Sequence, residues 1–147
     1  MYTPCLLRPE EVLEHWSTIK PHIDVALEHS AGEMTTFQLF QKAMTGQVHV
    51  FAAIVEGEIH NVLTTRFLIY DNMRSLQLLT CGGKITNWDA WLDHNHLLEK
   101  FAKENKCNSI QIWGRKGWGR RLSSVKSTAG KPYKSLYSVY SMEITND

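Results

Sequence analysis

The spacing of apolar residues changes along this chain near Val48. Before that point they recur every three or four places, the mark of helices that bury one face. Leu6-Leu7 is a short apolar run suited to a first strand. Arg8-Pro9-Glu10-Glu11 then opens a helix, with proline in the first turn and two acids against the positive end of the peptide dipoles. Val12, Leu13, Trp16 and Ile19 continue it, and Pro21 is expected to break or kink it. A second helical piece, Ile23 to His29, is expected to end near Gly32. Thr35-Thr36 caps a third helix, with Phe37, Leu39, Phe40, Ala43 and Met44 on its apolar side and Gly46 closing it.

From Val48 the pattern is that of strands. Val48–Val55 and Ile59–Tyr70, joined by Glu56-Gly57-Glu58, form a hairpin. Asp71-Asn72 turns the chain into a third strand, Ser75 to Thr80, which runs out in Cys81-Gly82-Gly83. Helical spacing returns in Trp88, Trp91, Leu92, Leu98, Phe101 and Ala102, behind Thr86-Asn87-Trp88-Asp89, which has the form of a capping box. Ser109–Trp113 is the next strand. A strand, a helix and a strand in direct succession imply a parallel pair inside an otherwise antiparallel sheet. Lys116 to Val125 suits a short helix interrupted by glycine, Ser127 to Pro132 a loop, and Leu136 to Ile144 a final alternating strand. The expected architecture is an α/β domain spanning residues 1–147, with a mixed, mostly antiparallel sheet flanked by helices.

Composition changes this picture little. At 147 residues, 43% hydrophobic and 21% charged, the chain has the means to bury a core and is too apolar for a disordered one. It has no apolar run long enough to span a membrane. Its first residues, Met1-Tyr2-Thr3-Pro4-Cys5, lack the layout of a secretory signal, so the protein is expected to stay where it is made. Cys5, Cys81 and Cys107 are isolated and odd in number, which argues against a disulfide framework or a zinc knuckle. The net charge of +1 conceals a gradient. Arg115, Lys116, Arg120, Arg121, Lys126, Lys131 and Lys134 fall in one segment without an acid, leaving nine bases against fifteen acids elsewhere.

The order of elements resembles that of the GCN5-related N-acetyltransferase (GNAT) fold. The stretch Trp88–Ile144 further resembles small GNAT-like proteins of short-tailed bacteriophages. In those a strand ending in Gly-Gly leads to a Trp-bearing helix, a strand, a Gly-Arg-x-Gly-Trp-x-Arg-x-Leu segment and an aromatic last strand. The matching residues are Gly82-Gly83, Trp88, Trp91, Gly114-Arg115-Lys116-Gly117-Trp118-Gly119-Arg120-Arg121-Leu122 and Tyr137-Ser138-Val139-Tyr140.

The resemblance implies an acetyl-CoA site where the fourth strand meets the long helix, with a Gln/Arg-x-x-Gly-x-Gly/Ala loop holding the pyrophosphate on backbone N–H groups. The chain has Cys81-Gly82-Gly83-Lys84-Ile85-Thr86-Asn87-Trp88 there. Its two glycines are adjacent, and the Gly-x-Gly is missing. Gly82, Gly83, Lys84, Thr86, Asn87 and Trp88 are the cofactor-binding candidates, with Lys84 as counter-charge. The string Gly114-Arg115-Lys116-Gly117-Trp118-Gly119 lies on the wrong crossover to replace them, and Trp118 is expected to pack in the core or plug the cleft.

The resemblance also implies a tyrosine acid in the penultimate helix, where Arg121, Leu122 and Ser123 supply none. Tyr133, Tyr137 and Tyr140 lie on other elements, and Glu56 and Glu58 belong to a hairpin turn. Catalytic residues are therefore unassigned. Asp89, Asp93 and His96 share a helix face beside His94 without completing a metal ligand set, so no metal site is expected. Cys81 at a strand end admits a lowered thiol pKa, although a buried structural thiol is the plainer reading.

On this basis the chain is expected to be a non-catalytic, phage-type protein with no cofactor, acting inside the virion or during assembly, in the virion or host cytoplasm. Its partners would be virion or host proteins. Nucleic acid is a further partner, held by Arg115, Lys116, Trp118, Arg120, Arg121, Lys126, Lys131 and Lys134. The alternatives are an acetyl-CoA-dependent N-acetyltransferase with an atypical pyrophosphate loop and a host-directed binding or inhibitor protein.

Overall fold

A computed structural model describes residues 2–28, 32–83, 88–113, 122 and 125–145. They run in the order β1 (Tyr2–Leu7), α1 (Pro9–Glu14), α2 (Trp16–Leu27), α3 (Thr36–Met44), β2 (His49–Val55), β3 (Glu58–Ile69), β4 (Arg74–Gly83), α4 (Trp88–Glu104) and β5 (Ser109–Ile112). The strands form one sheet in chain order, β1-β2-β3-β4-β5. Every pair is antiparallel except β4 and β5, which α4 connects as a parallel crossover. This is the mixed α/β sheet expected from the change of period.

The chain divides into two compact units, residues 1–113 and 114–147. In the first, α1–α3 cover one face of the sheet. Val12, Ile19, Ile23, Leu39 and Ala43 from these helices pack with Leu7, Val50, Ala52 and Val62 from the strands. Fully burying aliphatic side chains of this kind is worth about 1.5–3 kcal/mol each, which is what holds the layers together. On the opposite face Phe101 of α4 meets Phe51, Phe67 and His49, with ring centroids 5.4, 5.8 and 4.8 Å away. Alternation along the strands separates the two sets, because successive side chains point to opposite sides.

The first helical region departs from expectation. The helix breaks at His15 instead of Pro21, and α2 runs unbroken through Pro21. Ile19 and Ile23, one turn apart and wholly buried, hold the segments before and after Pro21 on the same sheet face. That burial outweighs the roughly 3 kcal/mol cost of an interior proline. The third helix starts as expected. Thr35 Oγ1 accepts from the Gln38 N–H at 3.1 Å, and the Gln38 side chain accepts from the Thr35 N–H at 2.9 Å. Phe37, placed by spacing on its apolar side, is instead exposed.

In the second unit, Lys126 and Pro132 bridge across the turn predicted as a loop, with the Ser127 N–H donating to the Lys131 carbonyl at 2.9 Å. The expected last strand, 136–144, is absent: residues 135–145 have no regular structure. Leu136, Tyr137, Val139, Tyr140, Met142 and Ile144 are all exposed. Apolar residues occupy both parities of this segment, so no single face gathers them for burial. The helix expected over 116–125 and the capping box at Thr86 lie outside the described residues. Among the described residues, no helix is long and apolar enough to cross a membrane.

Candidate functional site

β4 pairs with β3 as far as Gly83, but with β5 only from Ser75 to Leu78. Its register with β3 shifts at the same level. Thr65 faces Leu78 and Thr64 faces Thr80, which makes Leu79 an extra residue, a β-bulge. A bulge sharpens the local twist, and this one stands where the parallel pairing ends. From Leu79 to Gly83 no described residue pairs with the β5-side edge of β4. Backbone N–H and C=O groups on such an edge seek a partner, and an extended ligand can supply one.

The two glycines at the end of this edge are set by close packing. A Cβ on Gly82 would overlap the carbonyl oxygen of His22 and lie 2.9 Å from its carbonyl carbon, so the backbone of α2 rests directly on β4. Gly83 has φ +122° and would bring a Cβ within 2.8 Å of Asn61 Cα. Of the six cofactor-binding candidates, the structure therefore places Gly82 and Gly83 at the end of the open edge, with the backbone of Trp88 opening α4. Lys84, Thr86 and Asn87 lie outside the described residues.

Beside the bulge, the strands carry a connected group of polar side chains on the face opposite α4. Arg66 Nε donates to Gln77 Oε1 at 2.7 Å. Gln111 Nε2 donates to Ser75 Oγ at 3.3 Å, and Ser75 and Ser109 share a hydrogen bond of 2.7 Å. Gln111 Oε1 accepts from Trp113 Nε1 at 3.0 Å and from the Tyr70 hydroxyl at 3.5 Å. Gln77 and Ser75 are buried, while Tyr70 and Trp113 are exposed. Ile112 is level with Leu78, so Trp113 stands at the level of the bulge.

The titratable groups follow their surroundings. Burial pushes the Cys81 thiol up to about 12, which overturns the lowered pKa admitted by its place at a strand end. His22 is held below its ordinary value by burial and then by the charge of His60. Burial, followed by the nearby Arg74 charge, brings His49 down to about 4, and its Nδ1 lies 2.9 Å from Thr65 Oγ1. His94 is buried and also lowered to about 4, by burial, against the opposing charge of Asp93. Asp93 and His96 are exposed, as a wet helix face requires. No metal-binding cluster occurs among the described residues. Glu56 lies in a turn and Glu58 opens β3, and both are exposed. Of the basic segment, Lys126, Lys131 and Lys134 are exposed in the second unit, while Arg115, Lys116, Trp118, Arg120 and Arg121 lie outside the described residues.

Solved acetyltransferases share this arrangement over nearly their whole length. An aminoglycoside acetyltransferase from an uncultured soil metagenomic sample, in complex with trehalose, matches with TM-score 0.69 and 13% identity over 97% of each chain. A ribosomal-protein-alanine N-acetyltransferase from Brucella melitensis biovar Abortus 2308 matches with TM-score 0.67 and 14% identity over 99% of this chain and 100% of its own. A predicted acetyltransferase from Clostridium acetobutylicum, solved with acetyl-CoA, gives TM-score 0.62 and 13% identity over 97% and 96%. The fold is GNAT-like. At these identities the likeness is one of fold, and neither a family model nor a curated protein matches the chain. The neighbours correct the expectation of a non-catalytic virion protein, because this GNAT-like fold is shared with acetyltransferases of several kinds.

Sequence reasoning ended the third strand at Thr80, whereas β4 runs on through Gly83, and it missed the bulge and the polar strip. The doubled Leu78-Leu79 was the available signal, since it breaks the alternation that runs from Ser75. Arg66, Gln77 and Gln111 gave none, because polar residues at alternate strand positions read as a solvent face.

Proposed function

We propose that this protein is an acetyl-CoA-dependent N-acetyltransferase, a reading carried by the edge of β4 that opens at the Leu79 bulge and ends at Gly82-Gly83 before α4. The pantetheine arm of acetyl-CoA is an extended chain with two amides, and it suits an unpaired strand edge as a further strand does. The N-terminal end of α4, a helix of seventeen residues, suits the pyrophosphate at the far end of that arm. The bound thioester supplies an acyl carbon already activated toward an amine.

The protein's part in the reaction is mainly positional. Holding the amine against the thioester replaces a bimolecular encounter with an oriented one. With acetyl-CoA bound, the transfer would form the bond from nitrogen to the acyl carbon, break the carbon–sulfur bond and release CoA as thiolate, the nitrogen losing a proton. β4 itself carries no carboxylate to receive that proton. The likeness of the Trp88–Ile144 stretch to phage-encoded GNAT-like proteins makes a phage genome its proposed source.

The test is calorimetric titration with acetyl-CoA, together with the melting temperature of the same samples. Saturable micromolar binding and a rise in Tm are expected, since a ligand that binds only the native state stabilises it by mass action. No binding at millimolar ligand refutes the proposal.

A further inference from the structure

The polar strip beside the bulge bears on which amine is acetylated, an inference that rests on the acetyl-CoA reading above. An acceptor must reach the acyl carbon from one face of the sheet. The face under α4 is closed there by Phe67, Phe101 and His49. The other face carries the connected side chains of Arg66, Gln77, Gln111, Tyr70 and Trp113, the last level with the bulge. We infer that this strip is the acceptor site and that the acceptor is an amine whose molecule also bears a carboxylate, seated against Arg66.

Charge carries the argument. Among the described residues, the side chains on this face of β3–β5 beside the bulge include one cation, Arg66, and no carboxylate. Asp24, an acid of α2, is committed to Lys20 at 2.7 Å and to Thr36 at 2.6 Å. The sequence from Asn105 to Met142, which includes β5 and all that follows it to that point, contains no acid at all. A polycationic acceptor such as an aminoglycoside needs carboxylates around its ammonium groups, and the described strand residues beside the bulge offer it none. A guanidinium suits the opposite sign. Arg66 spends its Nε–H on Gln77, and a guanidinium has further donors in a fork that matches a carboxylate. Gln77, buried and fixed by that bond, holds the guanidinium in place. The exposed ring of Trp113 and the hydroxyl of Tyr70, both tied to Gln111, form the rim over which an amine-bearing chain reaches the thioester.

The experiment follows thiol release from acetyl-CoA with a set of amines: glutamate, aspartyl dipeptides, their amidated counterparts and sisomicin. The acidic amines are expected to react with kcat/KM at least about tenfold above their amidated forms, and sisomicin to give no release above background. Arg66→Gln is expected to raise KM for the acidic amines about tenfold while leaving kcat and the amidated amines unchanged. Arg66→Lys should restore part of the difference. The Kd for acetyl-CoA, measured by calorimetry on each variant, must stay constant, which separates an acceptor effect from loss of fold. If sisomicin is the better substrate, or Arg66→Gln affects acidic and amidated amines equally, the acceptor assignment is overturned and the acetyltransferase reading survives. If acetyl-CoA does not bind the parent protein, both fail together.

Discussion

Replacing Gly82 by alanine adds a single methyl group at the point where α2 lies on β4. The new Cβ would overlap the His22 carbonyl oxygen and come within 2.9 Å of its carbon and 3.3 Å of its Cα. All three are backbone atoms, so no rotamer change relieves the contact. Carbon atoms pack at about 3.5–4.0 Å, so helix and strand must separate by roughly 1 Å. That movement pulls on Ile19 and Ile23, which are fully buried on the same helix. Overpacking a well-filled core costs about 1–3 kcal/mol, and with rigid backbone on both sides the upper end, about 3 kcal/mol, is expected. Gly46→Ala is the control. Gly46 has φ +79° but nothing within 4 Å of a built Cβ, so the substitution carries only the left-handed strain of about 1 kcal/mol. Urea denaturation followed by circular dichroism gives both values from the shift in midpoint at a common slope. The reasoning fails if Gly82→Ala costs no more than Gly46→Ala, because α2 would then not rest on β4 as described.

Acid should weaken the protein through its buried imidazoles. His94 and His49 titrate near 4 in the folded chain against about 6.5 when unfolded, so the unfolded state binds more protons between those values. Their contribution is complete above about pH 6.5 and is lost as pH falls toward 4. For the fully buried His94 it amounts to roughly 3 kcal/mol at about 1.4 kcal/mol per pKa unit, with less from the partly exposed His49. A urea midpoint that does not fall between pH 7 and pH 4.5 contradicts this. Cys81, with its thiol near 12, holds only about one part in ten thousand thiolate at pH 8, so alkylation should modify it slowly until the chain is denatured. Mass spectrometry of the labelled peptide reads this directly. Thr35→Ala removes the hydroxyl that caps α3 and should cost about 1 kcal/mol by the same urea assay.

The period of the apolar residues carried most of the fold. The hairpin from Val48 to Tyr70 and the crossover through the long helix were legible because each keeps one period long enough to leave no second reading. Pro21 misled because a local rule about proline gave way to the burial of Ile19 and Ile23, and burial is settled by residues distant in sequence. The segment 136–144 misled in the opposite direction. It has the residues of a strand, but strands exist by pairing, and none of the described residues pairs with it. At the site, Gly82 and Gly83 were legible as the end of a strand, but their cause, the backbone of His22 and the flank of Asn61, was not. Chemistry built from ordinary residues such as Gln77 and Gln111 becomes visible only once the register brings their strands side by side.

The bulge at Leu79 also adds to β4 a residue that β3 does not match. Thr65 faces Leu78 and Thr64 faces Thr80, so the strand carries one residue more than its partner over this stretch. Deleting Leu79 would restore an unbroken ladder with β3 in which Thr80 keeps Thr64 and Gly82 keeps Val62, and the glycine would stay on the side where α2 rests. What the deletion removes is the local kink at the point where the pairing with β5 ends. Among proteins descended from the same ancestor, the loss of this one codon should therefore leave the sheet standing and change the open edge.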